Sequence, residues 1–167
     1  MEISVVFGGA AGIGLQVAKR YLREGTTVVV ADLVEPEESH TDWSGSASLT
    51  QGGFFFRQLD VCDWLEVGAL LEQVLAGGIH QLRITYAVGV RNQSELTNET
   101  QDSFDLTMRS NVGGAFRICQ ALAEIGGQNK ALTTSFCLIS STLSKVVGGQ
   151  SVAYHVSKAA AEHLVRV

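Results

Sequence analysis

Tyr154 and Lys158 stand four residues apart, and Ser141 precedes the tyrosine by thirteen. On a helix that spacing places a phenol and an ammonium one turn from each other on a single face. A free tyrosine titrates near pKa ~10 and is a poor acid or base at neutral pH. A cation close by favours the phenolate and draws such a group toward the range in which it exchanges a proton during a reaction. A serine hydroxyl beside the pair is suited to hydrogen-bond a substrate carbonyl or alcohol oxygen. Three such groups suffice to move a proton while a hydride moves elsewhere. Alone the pattern is not specific, because Tyr-x-x-x-Lys arises by chance in many helices and serines are common at strand ends.

A second constellation lies near the N-terminus. Gly8-Gly9-Ala10-Ala11-Gly12-Ile13-Gly14 falls between an apolar run and a helical pattern. A glycine turn there lets the backbone approach a pyrophosphate, whose charge is met by the helix N-terminus. The spacing Gly8-x-x-x-Gly12-x-Gly14 differs from the common G-x-G-x-x-G, and a tight turn with no ligand is the competing reading. No Gly-Lys-Ser/Thr follows, so a Walker-type phosphate loop is excluded. Asp32, eighteen residues after Gly14, ends the next apolar run, where an acid would bond the adenosine ribose hydroxyls. No Arg or Lys stands at 9–11 or 33–34 to neutralise a 2′-phosphate, which argues for NAD over NADP. Asp60-Val61 ends a third run and would meet the adenine edge; a strand-end cap is its alternative.

The elements that must position these groups follow from periodicity. Residues 3–7 are a β-branched run suited to a buried strand, and 12–24 place apolar residues at helical spacing with Gly25 as the stop. Strands are expected at 27–31, from Phe54 to about Leu59, at 82–88 and at 135–139. Helices are expected over 63–76, from Ser103 to about Ile125, and from near Val152. Residues 33–53 read as a long surface loop. This alternation predicts an α/β, doubly wound parallel sheet of Rossmann type, in one domain over 1–167.

Composition narrows the function classes. Hydrophobic residues make up 46% and charged residues 17%, with 18 glycines and one proline, a soluble α/β profile. A net charge of −5 offers no basic patch for nucleic acid. No apolar run approaches the length of a membrane span, and a strand beginning almost at Met1 leaves no room for a signal peptide. Cys62, Cys119 and Cys137 are scattered in apolar surroundings and read as core thiols of a reducing compartment. The four histidines show no metal-ligand spacing. The cytosol is the expected location.

Taken together, Gly-x-x-x-Gly-x-Gly, a mid-chain asparagine and Ser…Tyr-x-x-x-Lys resemble the short-chain dehydrogenase/reductase family along nearly the whole chain. The resemblance implies strand order 3-2-1-4-5 and an NAD(P)-dependent oxidoreductase acting on a carbonyl or alcohol. It implies Tyr154 as acid/base and Ser141 as partner of the reacting oxygen. Lys158 would then serve both the tyrosine and the cofactor ribose. By position it makes Asn111, in Ser110-Asn111-Val112-Gly113-Gly114, the fourth catalytic residue, holding a helix backbone and a water that relays protons to Lys158. Its alternative is a polar residue that breaks the long helix before two glycines.

Three departures from the family stand out. Phe7 replaces the usual threonine. The usual Asn-Asn-Ala-Gly after the fourth strand reads as deleted up to Gly89, with Tyr86-Ala87-Val88 taken into the strand. The chain ends inside the helix that carries Lys158, so the family's last strands and substrate lid are expected to be missing and the fifth strand to be an edge. The competing function is accordingly a truncated, catalytically impaired dinucleotide-binding or interaction remnant. An S-adenosylmethionine-dependent methyltransferase would share the glycine loop and Asp32, yet gives no reason for Ser141, Tyr154 and Lys158. A homo-oligomer is expected from Phe104, Leu106, Met108, Phe116, Ile118 and Leu122, which supply more apolar surface than one sheet face needs.

Overall fold

The computed structural model describes residues 1–36, 52–146, 148 and 150–166. Five parallel strands form one sheet: β1 (Glu2–Phe7), β2 (Thr27–Asp32), β3 (Phe54–Gln58), β4 (Gln81–Tyr86) and β5 (Thr133–Leu138), in the order β3-β2-β1-β4-β5. Helices α1 (Gly12–Arg23), α2 (Trp64–Leu75), α3 (Gln101–Met108), α4 (Gly114–Gln128) and α5 (Val152–Leu164) connect or follow them. The doubly wound Rossmann-type sheet expected from the sequence is the observed one, with β5 at an edge.

Both faces of the central strands are covered, which is why β1 and β2 read as near-continuous apolar runs, interrupted inside β1 only by the buried Ser4, rather than alternating ones. On one face Ile3, Val5 and Phe7 pack with Val67, Leu70 and Leu71 of α2 and Ile118 of α4. On the other, Val6, Val28 and Val30 meet Ala18, Val17 and Tyr21 of α1. Fully burying one such aliphatic side chain contributes about 1.5–3 kcal/mol, so these two layers dominate what holds the sheet. Strand β5 differs: its side chains alternate between exposed and half-buried.

Several expectations are corrected. Strand β4 stops at Tyr86, paired with Phe7 of β1 and Leu138 of β5. Ala87 and Val88 are therefore loop residues, and the strand expected to run through Val88 ends two residues earlier. The long helix is not broken at Asn111. It widens into a π-helical turn over Arg109–Gly113 between α3 and α4, a distortion found mostly at functional sites. Cys62 and Cys119 are half-buried, but Cys137 is exposed because it sits on the open side of β5. Ile118 and Leu122 serve the chain's own core, while Phe104, Leu106 and Phe116 remain exposed. Most of the loop expected at 33–53 lies outside the described residues. Among the described residues no helix is long and apolar enough to cross a membrane.

Candidate active site

The C-terminal ends of β1, β2, β3 and β4 surround a cleft of about 230 Å³, whose lining includes Gly8, Asp32, Asp60, Val61, Gly89 and Ser110. Such crevices beyond the carboxyl ends of parallel strands are where open α/β sheets bind ligands. The glycine loop forms one wall. A Cβ on Gly14 would lie 2.1 Å from the Gly8 carbonyl oxygen, so only glycine allows α1 to start this close to β1. Gly12 takes φ +54, a left-handed value, with nothing within 4 Å of where a Cβ would stand. Ala11 caps α1 without a side-chain hydrogen bond, and no acid occupies the first turn. The helix thus presents uncapped N–H groups and its positive dipole end, a fit to a phosphate rather than to a cation. The side chain of Ile13 points out to solvent.

Asp32 closes this end. Its Oδ2 accepts from the Ala10 N–H at 2.9 Å and its Oδ1 from the Leu33 N–H at 2.7 Å. The carboxylate therefore fastens the glycine loop while each oxygen keeps lone-pair capacity for a hydroxyl in the cleft. Asp60 accepts from the Cys62 N–H at 2.9 Å, which is the strand-end cap foreseen as its alternative, and it still lines the cleft beside buried Val61.

The other end is assembled by side chains. Lys158 is only 3% exposed, and its Nζ donates to the carbonyls of Val88 (3.1 Å) and Ile139 (2.9 Å). These follow β4 and β5, so the ammonium ties the ends of two strands to α5 and retains a third donor. Burial pushes its pKa below the usual lysine value. The Tyr154 ring centroid is 5.7 Å from Nζ. A Cβ on Gly89 would lie 3.7 Å from that Nζ and 3.9 Å from Tyr154 Cε2, so the pair adjoins the cleft at Gly89 without itself lining it. Among the described residues the Tyr154 hydroxyl makes no hydrogen bond. Ser141, two residues beyond Ile139, accepts from the Leu143 N–H at 3.2 Å and caps a short 3-10 turn over Thr142–Ser144. Its own O–H stays available as a donor. No hydrogen bond joins it to Tyr154. Instead, Ser144 donates to Glu162 at 2.7 Å and pins the turn to α5.

Asn111 is fully buried, and its amide joins three elements. Its Oδ1 accepts from the Val90 N–H (2.7 Å); its Nδ2 donates to the Val90 carbonyl (2.9 Å) and to Ser157 Oγ (2.9 Å). Ser157 in turn donates to the Tyr154 carbonyl at 2.8 Å. The side chain therefore aligns the loop after β4 with the turn of α5 that carries Tyr154. Buried Tyr86 supports the same point by donating its hydroxyl to the Ser110 carbonyl in the π-helical turn. Burial holds that phenol far above the usual tyrosine pKa, so it stays protonated and keeps donating.

Sequence reasoning missed Ser157, Val90 and Tyr86 as members of this network. Ser157 had a local signal, since it directly precedes Lys158. Val90 contributes only its backbone and had none.

The chain is similar to known proteins along nearly its whole length. A family model described as Enoyl-(Acyl carrier protein) reductase matches residues 8–167. The (3R)-3-hydroxyacyl-CoA dehydrogenase of Canis lupus familiaris is 31% identical over 168 residues, covering 94% of this chain and 62% of that protein. Among solved structures, 4-hydroxyisoleucine dehydrogenase complexed with NADH superposes with a TM-score of 0.78 at 19% identity, covering 98% of this chain and 66% of that one. ElxO with NADP bound gives a TM-score of 0.80 at 19% identity, covering 98% and 64%. The chain thus spans slightly under two thirds of these relatives' length.

Proposed function

Because this chain belongs to the short-chain dehydrogenase/reductase family, we propose that it binds a nicotinamide dinucleotide in the cleft and interconverts a carbonyl and an alcohol there. The observation that carries the reading is the Tyr154 ring, 5.7 Å from the Nζ of buried Lys158 and beside Gly89 of the cleft lining, with a hydroxyl that makes no hydrogen bond among the described residues. The glycine loop and uncapped α1 suit the pyrophosphate, and Asp32 suits the adenosine ribose. Solved relatives of this fold hold NADH in one case and NADP in another. For this chain NAD is favoured, since the Asp32 carboxylate would repel a 2′-phosphate and positions 9–11 and 33–34 carry no cation.

The bound nicotinamide would supply or accept the hydride. The chain's own groups handle the oxygen. In the reducing direction the Tyr154 O–H gives its proton to the carbonyl oxygen as the carbon gains the hydride, and Ser141 donates a hydrogen bond to that oxygen. Lys158 faces the negative charge left on the phenol and offers its third N–H to the ribose. Asn111 keeps the Tyr154 turn and the Val90 loop in register, a positioning role that also suits the proton relay its place in the family implies. Substitution at Tyr154 tests this directly: Tyr154→Phe should lower turnover at least about 100-fold with its melting temperature preserved. Lys158→Ala should cost both rate and cofactor affinity. Full activity in Tyr154→Phe would end the assignment. The exposed Phe104, Leu106 and Phe116 favour a homo-oligomer, and a monodisperse monomer at micromolar concentration would contradict that. The cytosol is the compartment in which the three free thiols are at home.

A further inference from the structure

Arg91 occupies a place that the chemistry above does not use. Its Nε donates to Ser151 Oγ at 3.1 Å, and its guanidinium carbon lies 5.7 Å from the centroid of the Tyr154 ring. Ser151 is itself unusual. It is fully buried and is the one non-glycine residue with positive φ (+62) among the described residues. Its side chain does not cap α5, although it stands at the N-cap position. A serine in the left-handed region is strained, and such strain persists only where its surroundings impose it. Here the Ser151 N–H donates to the Ser94 carbonyl at 2.9 Å, and Gln150 bridges to Glu95. The segment after Val90 and the start of α5 are thereby zipped together, and the strained serine presents its oxygen to Arg91.

The nearby acids do not neutralise that cation. Glu99 is held by Ser94 Oγ at 2.7 Å, and Arg91 forms no ion pair among the described residues. An exposed guanidinium on an acidic protein, oriented on one nitrogen and with four further N–H donors unused among the described residues, is suited to take a carboxylate in two parallel hydrogen bonds. The geometry points to Arg91 as an anion subsite beside Tyr154, selecting substrates whose carbonyl stands a few bonds from a free carboxylate: short oxo acids and the matching hydroxy acids. This rests on the oxidoreductase reading for its relation to the reacting carbon, while the anion site itself is testable without turnover.

Acetoacetate and its methyl ester share the same carbonyl and differ in the charge that Arg91 would read. The full chain is titrated with each while the Arg91 Nε–H and Ser151 amide resonances are followed by NMR, with and without NADH. Acetoacetate should shift both resonances saturably, and the ester should bind about tenfold or more weakly. Arg91→Gln should lose the preference for the acid, and Arg91→Lys should recover part of it; a tether that merely held the loop would not move the acid-to-ester ratio. Equal response to acid and ester, or acid binding unchanged in Arg91→Gln, would overturn the subsite. Absence of NADH binding, with acid-selective shifts intact, would strike the oxidoreductase reading alone.

Discussion

At the Asp32 end of the cleft, closeness comes from side chains that are missing, whereas at the Lys158 end it comes from polar side chains that are buried. The glycine end needs one residue type at fixed positions, since any Cβ at Gly14 collides with backbone that cannot yield. The Lys158 end needs partners instead: Asn111, Ser157, Val90, Val88 and Ile139 lie on four different segments and are useful only together. A shape built from absences is rigid and intolerant at single positions. A network built from hydrogen bonds loses energy in increments, one partner at a time.

The sharpest break of this contrast is at Gly14. Gly14→Ala should destabilise the protein by more than about 3 kcal/mol, a large share of a typical domain's stability, and thermal melting would read the loss. Gly12→Ala, with open space around it, should cost only about 1–2 kcal/mol for its left-handed backbone. Similar losses at the two positions would show that the close contact is not the constraint.

At the other end Asn111→Ala should cost roughly 2–3 kcal/mol, because Val90 and Ser157 lose buried partners. Hydrogen exchange should then speed up at the Val90 amide before the β1 amides respond. Asp32→Ala should matter less to stability, about 1 kcal/mol for the lost Ala10 bond. Its larger effect should be on ligand choice: calorimetry should show NADH affinity falling about tenfold and its margin over NADPH narrowing.

The smallest effect expected is one of pH. Hydrogen bonds from Ser144 and Lys145 hold the Glu162 carboxyl below its ordinary value of 4.5. A depressed carboxylate contributes stability that is fully present above the unfolded value and is lost as pH falls through the folded one. The melting-temperature gap between the wild type and Glu162→Gln should therefore be constant above about pH 4.5 and close below it. A gap that persists at lower pH would detach Glu162 from the anchoring of the Ser141 turn.

Local patterns in the chain carried the fold well. The apolar runs of β1 and β2, the helical spacing after Gly12 and the turn at Gly25 are each encoded within a few residues, and the strand order followed from the resemblance they support. The same holds for Tyr154 and Lys158, which share a face wherever a helix forms, and for Asp32 at a strand end. The longer-range details were not legible. Whether β4 ends at Tyr86 or Val88 is settled by its register against Phe7 and Leu138, which periodicity within β4 does not contain. The widened turn at Asn111 is met by a tyrosine 24 residues away that donates to the Ser110 carbonyl.

The sequence by itself determined which chemistry was on offer: a phenol beside an ammonium, a serine, a glycine turn and an acid. Only the tertiary structure decided what each group is committed to. Lys158 spends two donors on carbonyls 70 and 19 residues away, Asn111 spends its amide on Val90 and Ser157, and Arg91 is turned toward Tyr154 by a strained serine 60 residues on. The physical reason is range. Helix and strand periodicity report contacts within a few residues, whereas burial and hydrogen bonding between distant segments are fixed when the elements pack.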